Sequence, residues 1–598
     1  EFPEIRVDYF RTVPDIIPPL AYFLSHVHSD HLQGLESIRA PFIYCSYATR
    51  ELLLKLEKRP HRLNFTKGIL EGRVQTYGHL GNLAKPLPLN TPTTIELSPT
   101  ENVRVTLFDA NHCPGAVMFL FEGNGKAVLY TGDLRAESWW CQQLARHPVL
   151  LPYTKGLRTI DCIYLDTTFA TKKDIFRQFP SKRDGICDLL TQIKEYPGDT
   201  VFHFDTWTFG YEDVWIALTT ALNCEIHVDR YRGELYNNLG KTYPSGEAAV
   251  LGGFQYGNRF QMGRLTQGTY PRIHSCERGT PCPIFEDNRK VVRILPIISR
   301  FEDGTEVEEQ GAGGGFGDLK QAHELEITDN ESVGQLMSIC AASIHDAEKL
   351  AKVLGMLVAK IPEKGSYNLT LTSNLPITDD MSLRDFVPIL AEVAETKARN
   401  SYQASLRSSK LPTSQASTSA KNAAKLPEVI TFPYSRHSSY EELCQLLALF
   451  QPKDVFPCTV DEKSWSLETS MQTLFGAHCS SDVFAHDQAM LRKFPDRHAV
   501  VLKRPHEQET SDAASATEAS HHSTSESRSV VGGHQSTTLQ PLIVQQRMAQ
   551  AGIAFVDMHS HHNDRVANFA DPHSYERVRR NYLAIINYRT SIPRAYSS

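Results

Sequence analysis

The sequence predicts an α/β protein built from more than one domain. From Ile5 to about Asp166, short runs rich in β-branched, aromatic and aliphatic residues alternate with helical stretches, and a second set of the same kind follows. A chain of 598 residues is also too long for a single hydrophobic core. Stretches poor in apolar residues interrupt the alternation, so we expect folded units separated by insertions.

The individual elements are assigned from residue type and periodicity. In the first set, the predicted strands are Ala21–Ser25, Phe42–Ser46, Val103–Ala110, Ala116–Phe121 and Ala127–Thr131, and the predicted helices are Leu32–Ile38 and Thr49–Lys58. In the second set, the strands are Cys162–Leu165, Val201–Phe204 and Glu225–Val228, and the helices are Ser181–Glu195 and Gly210–Leu222. Ser181 and Asp184 fit an N-cap pair for the first of these helices.

The interrupting stretches have biased compositions. Asp303–Gly317 is acidic and then Gly-rich, Arg399–Ala424 is rich in Ser, Thr, Lys and Ala, and Pro505–Thr538 is rich in Ser, Thr, His and Gly. Too few apolar residues are present to offset the entropy of ordering, so we expect disorder in all three.

A folded segment returns between the last two of these stretches. It contains a predicted strand at Val429–Phe432, a helix at Ser438–Phe450 and a strand at Asp454–Val460. Ser438 and Glu441 have the spacing of a capping box. We therefore expect the first domain to be completed late in the chain.

Composition excludes few functions. No run of about 18 apolar residues occurs, so we expect no membrane span. Glu1–Phe10 lacks the layout of a secretory signal, and because it has no initiator Met we expect a few residues to precede it. The 12 cysteines lack the dense spacing of a disulfide scaffold, which favours reduced thiols in the cytosol or nucleus. A net charge of −7 is compatible with nucleic-acid binding, because a local basic groove or metal ions can face the phosphates.

The strongest chemical signal lies between His26 and His31, where the chain reads His-Val-His-Ser-Asp-His. The segment follows an apolar strand, and ligand sites in α/β proteins form at such strand ends. His26 and His28 alternate and can point the same way, while Asp30 and His31 can reach a second metal roughly 3.5–4 Å from the first. Imidazole and carboxylate ligands suit Zn, Mn or Fe.

One segment cannot fill two coordination spheres, so further ligands must come from other strand ends. His112 follows one predicted strand, Asp133 follows another after a glycine, and His437 lies between the late strand and its helix. Asp133 is placed to bridge two metals with its two oxygens. These residues are candidates for the remaining ligands of a two-metal centre, although a lone histidine near a strand end is more often a satisfied surface or core residue.

The same strings resemble the metallo-β-lactamase superfamily, whose signature is His-x-His-x-Asp-His. Within it they are similar to the β-CASP DNA-repair nucleases of the cross-link repair group, at Phe23–His26, Asn111–Ala116, Leu129–Asp133, Tyr164–Phe169 and Pro433–Tyr440. The resemblance covers roughly residues 5–300 and 429–460. It implies a metallo-β-lactamase αββα sandwich with an inserted α/β β-CASP domain, plus disordered insertions and a C-terminal tail.

The implied domain boundaries follow from the resemblance. They are a first metallo-β-lactamase part at 1–165, a β-CASP domain at 166–398 with a disordered insertion near 303–317, a low-complexity linker at 399–425, a return segment at 426–485 that completes the first domain, and a mostly disordered tail at 486–598.

The resemblance also implies a role for each ligand. The first metal is bound by His26, His28, His112 and Asp133, and the second by Asp30, His31, His437 and the bridging Asp133. The implied metals are two divalent ions, zinc with Mg or Mn as alternatives. Three aspartates are expected to take part in catalysis: Asp30 by orienting the attacking hydroxide, Asp8 by supporting the ligand loop, and Asp166 by lying close to the scissile phosphate.

A second metal site is implied in the β-CASP domain. His227, His274, Cys276 and Cys282 have the composition of a closed structural zinc site. Cys282 lies closer to Cys276 than the family spacing suggests.

Contacts to DNA are less specific. Thr206 stands where relatives tend to have a lysine that can contact phosphate, and the nearby basic residues Lys172, Lys173, Lys182 and Arg183 can replace it. A run of basic residues is more often only a solvent-exposed face with no binding role.

The implied function is that of a DNA-repair nuclease. It would act as a 5′-3′ exonuclease and as an endonuclease on hairpins and overhangs at double-strand breaks, in end joining and interstrand cross-link repair. Cleavage would leave a 5′-phosphate. RNA-processing relatives carry a histidine on the strand after the late helix, but Asp454–Val460 has none, which favours DNA.

Alternatives are an RNA-processing nuclease, a small-molecule hydrolase and a non-catalytic scaffold. We expect DNA as the partner, with single-stranded ends, hairpins and overhangs as substrates, repair proteins bound through the Ser/Thr-rich tail, a nuclear location, and no membrane. Preference between exonuclease and endonuclease stays open, as does folding of residues 541–598, where His559, His561 and His562 have no placed partners.

Overall fold

A computed structural model describes residues 1–495 except 12–17, 205, 243–245, 278–281, 287–290, 302–303, 310–317, 320–322, 328–329, 359–366, 372–376, 379, 409–425, 460–461 and 463. Within these ranges, every helix is too short or too polar to cross a membrane.

The metal-ligand loops lie on a sandwich of two sheets. One is a four-stranded parallel sheet in the order Ile5–Val7, Ala21–Phe23, Ile43–Ser46 and Ala84–Leu87. The other has six strands in the order Asp454–Pro457, Cys162–Leu165, Lys126–Tyr130, Val117–Gly123, Glu101–Asp109 and Thr93–Ser98. Apolar side chains between the sheets form a core, in which the ring of Phe23 packs edge-on against Phe119 and Phe121.

The inserted region forms a seven-stranded, mostly parallel sheet. Its strands are Leu265–Thr266, Ile226–His227, Ile273–His274, Val201–Phe204, Val291–Arg300, Glu306–Glu308 and Val429–Pro433. Val429–Pro433 pairs in parallel with Val291–Arg300. A two-stranded hairpin, Phe254–Tyr256 with Arg259–Gln261, projects from this region.

A separate six-stranded sheet, outside the sandwich and the inserted sheet, was not anticipated from the sequence. It combines strands from an early and a late part of the chain, with a hydrophobic core of its own. The strands are Tyr367–Thr370, His323–Ile327, Glu57–Asn64, Ile69–Gly72, Met381–Ser382 and Gln75–Thr76. The helices Asn330–Ser343, Ala347–Val358 and Leu383–Ser408 belong to the same unit.

The remaining helices come from the sandwich and from the inserted region. The α-helices are Tyr47–Leu53, Ser138–Leu144, Leu151–Thr154, Asp174–Arg177, Lys182–Lys194, Glu212–Leu222, Arg230–Thr242, Gly246–Gly252, Pro283–Glu286, Tyr440–Phe450, Met471–Phe475 and Ala485–Lys493. Short 3₁₀ turns occur at Ser29–Leu32, Leu35–Ser37, Gly78–Asn82, Leu467–Thr469 and Gly476–His478.

Most predicted strands and the helix beginning at Ser181 are confirmed. The Ser181 hydroxyl accepts a hydrogen bond from the Asp184 amide at 3.1 Å, as the N-cap pair requires. The helix predicted at Leu32–Ile38 is wrong, because Gly34 adopts a left-handed φ of 88° and splits the segment into two short turns. The helix predicted at Thr49–Lys58 ends at Leu53, and the chain then continues into the strand Glu57–Asn64 of the separate six-stranded sheet.

The capping box of the late helix lies one residue further along than predicted. Ser439 and Glu442 form it. The Ser438 hydroxyl is used elsewhere, since it donates to the Leu134 carbonyl and accepts from the Ala136 amide, both at 2.9 Å.

The predicted disorder is wrong where the structure describes those stretches. In Asp303–Gly317, Glu306–Glu308 is a strand, and residues 310–317 lie outside the described residues. In Arg399–Ala424, the helix Leu383–Ser408 extends to residue 408. Pro505–Thr538 and residues 541–598 lie wholly outside the described residues.

The sheet pairing adds two facts to the predicted domain organisation, whose boundaries stay a prediction. The return segment serves both sheets, because Val429–Pro433 joins the inserted sheet whereas Asp454–Pro457 joins the sandwich beside Cys162–Leu165. The helix Ala485–Lys493 also continues past the boundary drawn at residue 485.

Candidate metal centre

The ligand loop leaves the sandwich directly after the strand Ala21–Phe23. Val27 is fully buried in the core, so the histidines on either side of it share the opposite direction. His26 Nε2 lies 3.0 Å from His28 Nδ1, and His112 Nε2 reaches the same His28 atom at 3.0 Å. All three rings are buried. The structure therefore brings together the first predicted ligand group.

Asp133 lies between the two ligand groups. One of its carboxylate oxygens is 3.5 Å from His26 Nε2 and 3.6 Å from His112 Nε2. The other is 3.4 Å from His31 Nε2. This is the geometry expected of a bridging carboxylate.

The second group forms around the same aspartate. Asp30, His31 and Asp133 have ligand atoms within 4.8 Å of one another, and so do Asp133, Asp166 and His437. One buried oxygen of Asp30, Oδ1, has no hydrogen-bond partner among the described residues. A buried carboxylate oxygen without a donor is expected where a cation supplies the missing charge.

Asp8 supports this loop from below, in a left-handed conformation with φ of 52°. Its carboxylate accepts hydrogen bonds from the Ser25 amide at 2.8 Å, the Ser25 hydroxyl at 2.5 Å and the Tyr130 hydroxyl at 3.1 Å. It also lies 2.9 Å from His31 Nδ1. Asp8 is thus a positioning residue rather than a ligand.

Asp166 plays a similar part on the other side. Its carboxylate is buried, lies 2.9 Å from His437 Nδ1, and accepts the Leu134 amide at 3.2 Å and the Thr168 hydroxyl at 2.6 Å. With these partners Asp166 holds the ring of His437 in place.

The histidines have one ring nitrogen occupied and one turned towards the cluster. The occupied atoms face Ser25 in His26, the Arg436 carbonyl in His112, Asp8 in His31 and Asp166 in His437. His28 is reversed: Nε2 donates to the Phe209 carbonyl at 3.2 Å, and Nδ1 faces the cluster. Metal-binding histidines typically have this arrangement, because the second nitrogen sets the tautomer of the first.

The protonation states also favour cations. Burial lowers the pKa of His26, His28 and His112, which keeps these imidazoles neutral. Burial alone would raise the pKa of Asp133, but His31 and His26 hold it well below its usual range. Burial raises the pKa of Asp30 to about 6. The donor set therefore fits divalent metal ions.

The four residues of the second predicted site also meet. His227, His274, Cys276 and Cys282 are buried and have ligand atoms within 4.8 Å of one another, although Cys282 is close to Cys276 in sequence. Residues 278–281, which connect the two cysteines, lie outside the described residues. His227 Nδ1 donates to the Gly268 carbonyl at 3.0 Å, which leaves Nε2 for a metal.

The basic residues predicted to contact DNA separate into two kinds. Lys172, Lys173 and Arg183 are exposed. Lys182 is buried, and its ammonium donates to the Asn111 carbonyl at 2.7 Å, so the prediction that it contacts phosphate is wrong. Thr206 is buried, with its hydroxyl 3.3 Å from that of Ser275.

Sequence reasoning missed three buried charged residues next to the cluster. Arg436 donates from Nε to Glu309 at 2.8 Å, and both side chains are buried. Asp318 accepts the Thr208 hydroxyl at 2.7 Å and lies 4.0 Å from His28 Nε2. Glu309 lies within Asp303–Gly317, which was predicted to be disordered, Asp318 follows it directly, and no local pattern marks either residue.

The fold and these clusters define a metal-site protein of the metallo-β-lactamase type, and comparison with known proteins agrees. Residues 6–197 match the β-lactamase superfamily domain. Residues 398–464 match the family described as DNA repair metallo-β-lactamase. The chain therefore carries a metallo-β-lactamase domain and a later segment that matches the DNA repair metallo-β-lactamase family, and the predicted fold class is confirmed.

The curated relatives include Artemis proteins. The chain is 33% identical over 329 residues to protein artemis of Homo sapiens, covering 50% of this chain and 40% of that protein. It is 29% identical over 329 residues to protein artemis of Gallus gallus, covering 50% and 39%. To the 5′ exonuclease Apollo of Danio rerio it is 34% identical over 218 residues, covering 36% and 32%. We expected this chain to look most like Artemis among the β-CASP nucleases, and the resemblance to Artemis proteins is confirmed, although the chain spans only about two fifths of their length.

Proposed function

We propose that this chain is a metal-dependent nuclease that hydrolyses phosphodiester bonds of DNA during DNA repair. The observation that carries the proposal is the convergence of five histidines and three aspartates on clusters that share Asp133. The match of residues 398–464 to the DNA repair family, and relatives named as Artemis and a 5′ exonuclease, support DNA as the substrate.

In this proposal His26, His28, His112 and Asp133 hold one divalent ion, while Asp30, His31, His437 and Asp133 hold a second. Such ions supply positive charge to phosphate oxygens and lower the pKa of a bound water. Zinc is the expected metal, with Mg and Mn as alternatives. As a member of the second ligand group, Asp30 would orient the attacking water, and Asp8 and Asp166 keep their histidines oriented.

An RNA-processing nuclease is the first alternative. The strand Asp454–Pro457 lies beside Cys162–Leu165, which leads directly into Asp166. It carries no histidine, which supports the DNA-type assignment.

A small-molecule hydrolase is less well supported. The inserted region packs directly on the ligands, with the Phe209 carbonyl bonded to His28 and Arg436 bonded through its own carbonyl to His112. Small substrates do not require a covering domain of this size, whereas a polymer needs an extended surface.

The finer activities are proposed from the relatives. They are 5′-3′ exonuclease action, endonuclease cleavage of hairpins and overhangs with 5′-phosphate products, and a role in end joining and cross-link repair in the nucleus. A structural zinc ion is proposed at His227, His274, Cys276 and Cys282. Lys172, Lys173 and Arg183 are proposed to contact phosphates, because they are exposed.

The test compares substrates and end labels. Purified protein is incubated with single-stranded DNA, hairpin DNA and RNA, each labelled at the 5′ or the 3′ end, and with a β-lactam. We expect cleavage of DNA only. Release of 5′ label as mononucleotides indicates exonuclease action, whereas fragments from the hairpin tip indicate endonuclease action.

Two variants control the experiment. Asp133→Asn removes the bridging charge with little change of shape and should abolish cleavage. Asp161→Asn makes the same change at a carboxylate outside the cluster, one that accepts the Ala127 amide at 2.9 Å, and should leave it intact. Cleavage of RNA without DNA would overturn the DNA assignment, and activity that survives in Asp133→Asn would refute the metal centre.

A further inference from the structure

The hairpin formed by Phe254–Tyr256 and Arg259–Gln261 exposes unusually large apolar side chains. Tyr256 is 79% exposed, Met262 is 71% exposed and Phe260 is 36% exposed. A tyrosine ring exposed to this extent has an apolar face and a polar hydroxyl available for contact with a partner. No part of the mechanism above uses this element.

The register of the hairpin assigns its side chains to two faces. Tyr256 pairs directly with Arg259, and Gln255 pairs with Phe260. Directly paired residues share one face of an antiparallel sheet, with their Cβ atoms roughly 4.5–5.5 Å apart. The ammonium of Lys241 lies over the Phe260 ring, 5.7 Å from its centroid, so the Phe260 face meets the helix Arg230–Thr242. Tyr256 and Arg259 therefore stand side by side on the opposite, outward face.

The charge of this region has one sign. Between Glu247 and Glu277 the chain contains Arg259, Arg264 and Arg272 but no Asp or Glu. Within the part of the chain that the structure describes, Arg259 and Arg264 form no salt bridge, and both are exposed. In a chain with a net charge of −7, exposed arginines that form no salt bridge among the described residues favour an anionic partner.

The base of the hairpin is tightly built. Gly253 has a φ of 83°, which side chains rarely adopt, and a Cβ added there would collide with the Gln261 carbonyl. A Cβ on Gly240 would likewise collide with the Gly253 carbonyl. Because these glycines have no side chain, the hairpin packs directly against the helix Arg230–Thr242. This helix supports the strand that carries Tyr256.

We propose that the outward face of this hairpin, carrying Tyr256 and Arg259, binds single-stranded DNA. An unpaired base stacks on the ring of Tyr256, and Arg259 beside it contacts the adjoining phosphate. Every base offers a face for stacking, so this contact is independent of sequence. The inference rests on the proposed function, because it takes DNA as the polymer that the metal centre cleaves.

Fluorescence anisotropy tests the proposal on the full chain. The probe is a fluorescein-labelled phosphorothioate oligothymidylate, which resists cleavage, with a blunt duplex of the same length as the second ligand. The variants are Tyr256→Ala and Arg259→Ala. The matched control is Leu157→Ala combined with Lys155→Ala, which removes an exposed apolar residue and an exposed cation at another part of the surface.

Tyr256→Ala should weaken binding of the single strand about 5-fold or more, the lower end expected for loss of one stacked base, and should affect the duplex less. Arg259→Ala should reduce the slope of log K against log salt concentration by about 0.7, the value for one phosphate contact on a single strand. Hydrolysis of the small substrate bis(p-nitrophenyl) phosphate should be unchanged in both.

Equal affinities in the hairpin and control variants would overturn the proposal and favour a protein partner for this surface. Equal losses on the single strand and the duplex would overturn the stacking contact. Because binding is read without cleavage, a wild type that binds the probe but cleaves no nucleic acid would refute the proposed function alone.

Discussion

Replacing Asp8 by Asn is the sharpest test of how the metal centre is held together. The Asp8 carboxylate accepts hydrogen bonds from the Ser25 amide, the Ser25 hydroxyl and the Tyr130 hydroxyl, and it also faces His31 Nδ1 at 2.9 Å. The substitution preserves shape but replaces one accepting oxygen with an amide that donates. The carboxylate oxygen that faces His31 Nδ1 is the one whose replacement affects the metal centre.

The chemical consequence reaches the cluster through the tautomer of His31. The carboxylate at position 8 favours a proton on Nδ1, and Nε2, which lies 3.4 Å from Asp133, is then the nitrogen left for a metal ion. An Asn amide group favours a proton on Nε2 instead, where a metal ion would bind.

The expected loss can be estimated from that single contact. A hydrogen bond to a charged group contributes about 1.5–3 kcal/mol. Since each tenfold change in a binding constant corresponds to about 1.4 kcal/mol, losing this contact should weaken the second metal by roughly 10–100-fold.

The assay is a metal titration of DNA cleavage, combined with metal content measured by mass spectrometry and with thermal unfolding. We expect Asp8→Asn to need more metal for half-maximal activity and to approach wild-type activity in excess metal. Asp161→Asn serves as the matched control. A variant that stays folded and shows wild-type metal dependence would refute the tautomer argument. Loss of activity that excess metal does not restore would also count against it.

Three further predictions concern other buried groups. Burial raises the pKa of Glu212 to about 7, above its unfolded value, so the stabilising protonation of this carboxyl is complete at low pH and is lost as the pH rises through 7. Glu212→Gln should therefore have an unfolding free energy roughly 3 kcal/mol higher than wild type at pH 8, as measured by urea unfolding. Parallel curves of unfolding free energy against pH for the two proteins would contradict this. Cys282→Ser should lose about one zinc equivalent and unfold at lower temperature, whereas the partly buried Cys187 replaced by Ser should keep its zinc; equal metal content would exclude the second site. Lys182→Ala should lower the unfolding free energy by about 2 kcal/mol without changing the salt dependence of DNA binding. Arg183→Ala should reduce the slope of that salt dependence by about 0.7–0.9 and leave the unfolding free energy unchanged. The reverse result would restore Lys182 as a phosphate contact.

The sequence by itself determined the α/β class, most strands of the sandwich and the candidate metal ligands. Strands such as Val201–Phe204 and Cys162–Leu165 match their predicted bounds, because a buried strand is a short apolar run that local composition reveals. The ligands were equally visible, since a metal centre needs particular side chains at strand ends and His26 to His31 supplies them within one segment. Resemblance to a family then assigned His112, Asp133 and His437 to the two metal ions.

Only the tertiary structure decided which distant segments meet. It joined residues 57–76 to strands beyond residue 320 in a sheet separate from the sandwich and the inserted region. It also placed Val429–Pro433 in the inserted sheet rather than in the sandwich. It also turned Lys182 inward and paired Glu309 with Arg436 beside the metal ligands. Strand partners and buried ion pairs depend on contacts between residues far apart in the chain, and such contacts leave no periodic or compositional signal in either segment alone.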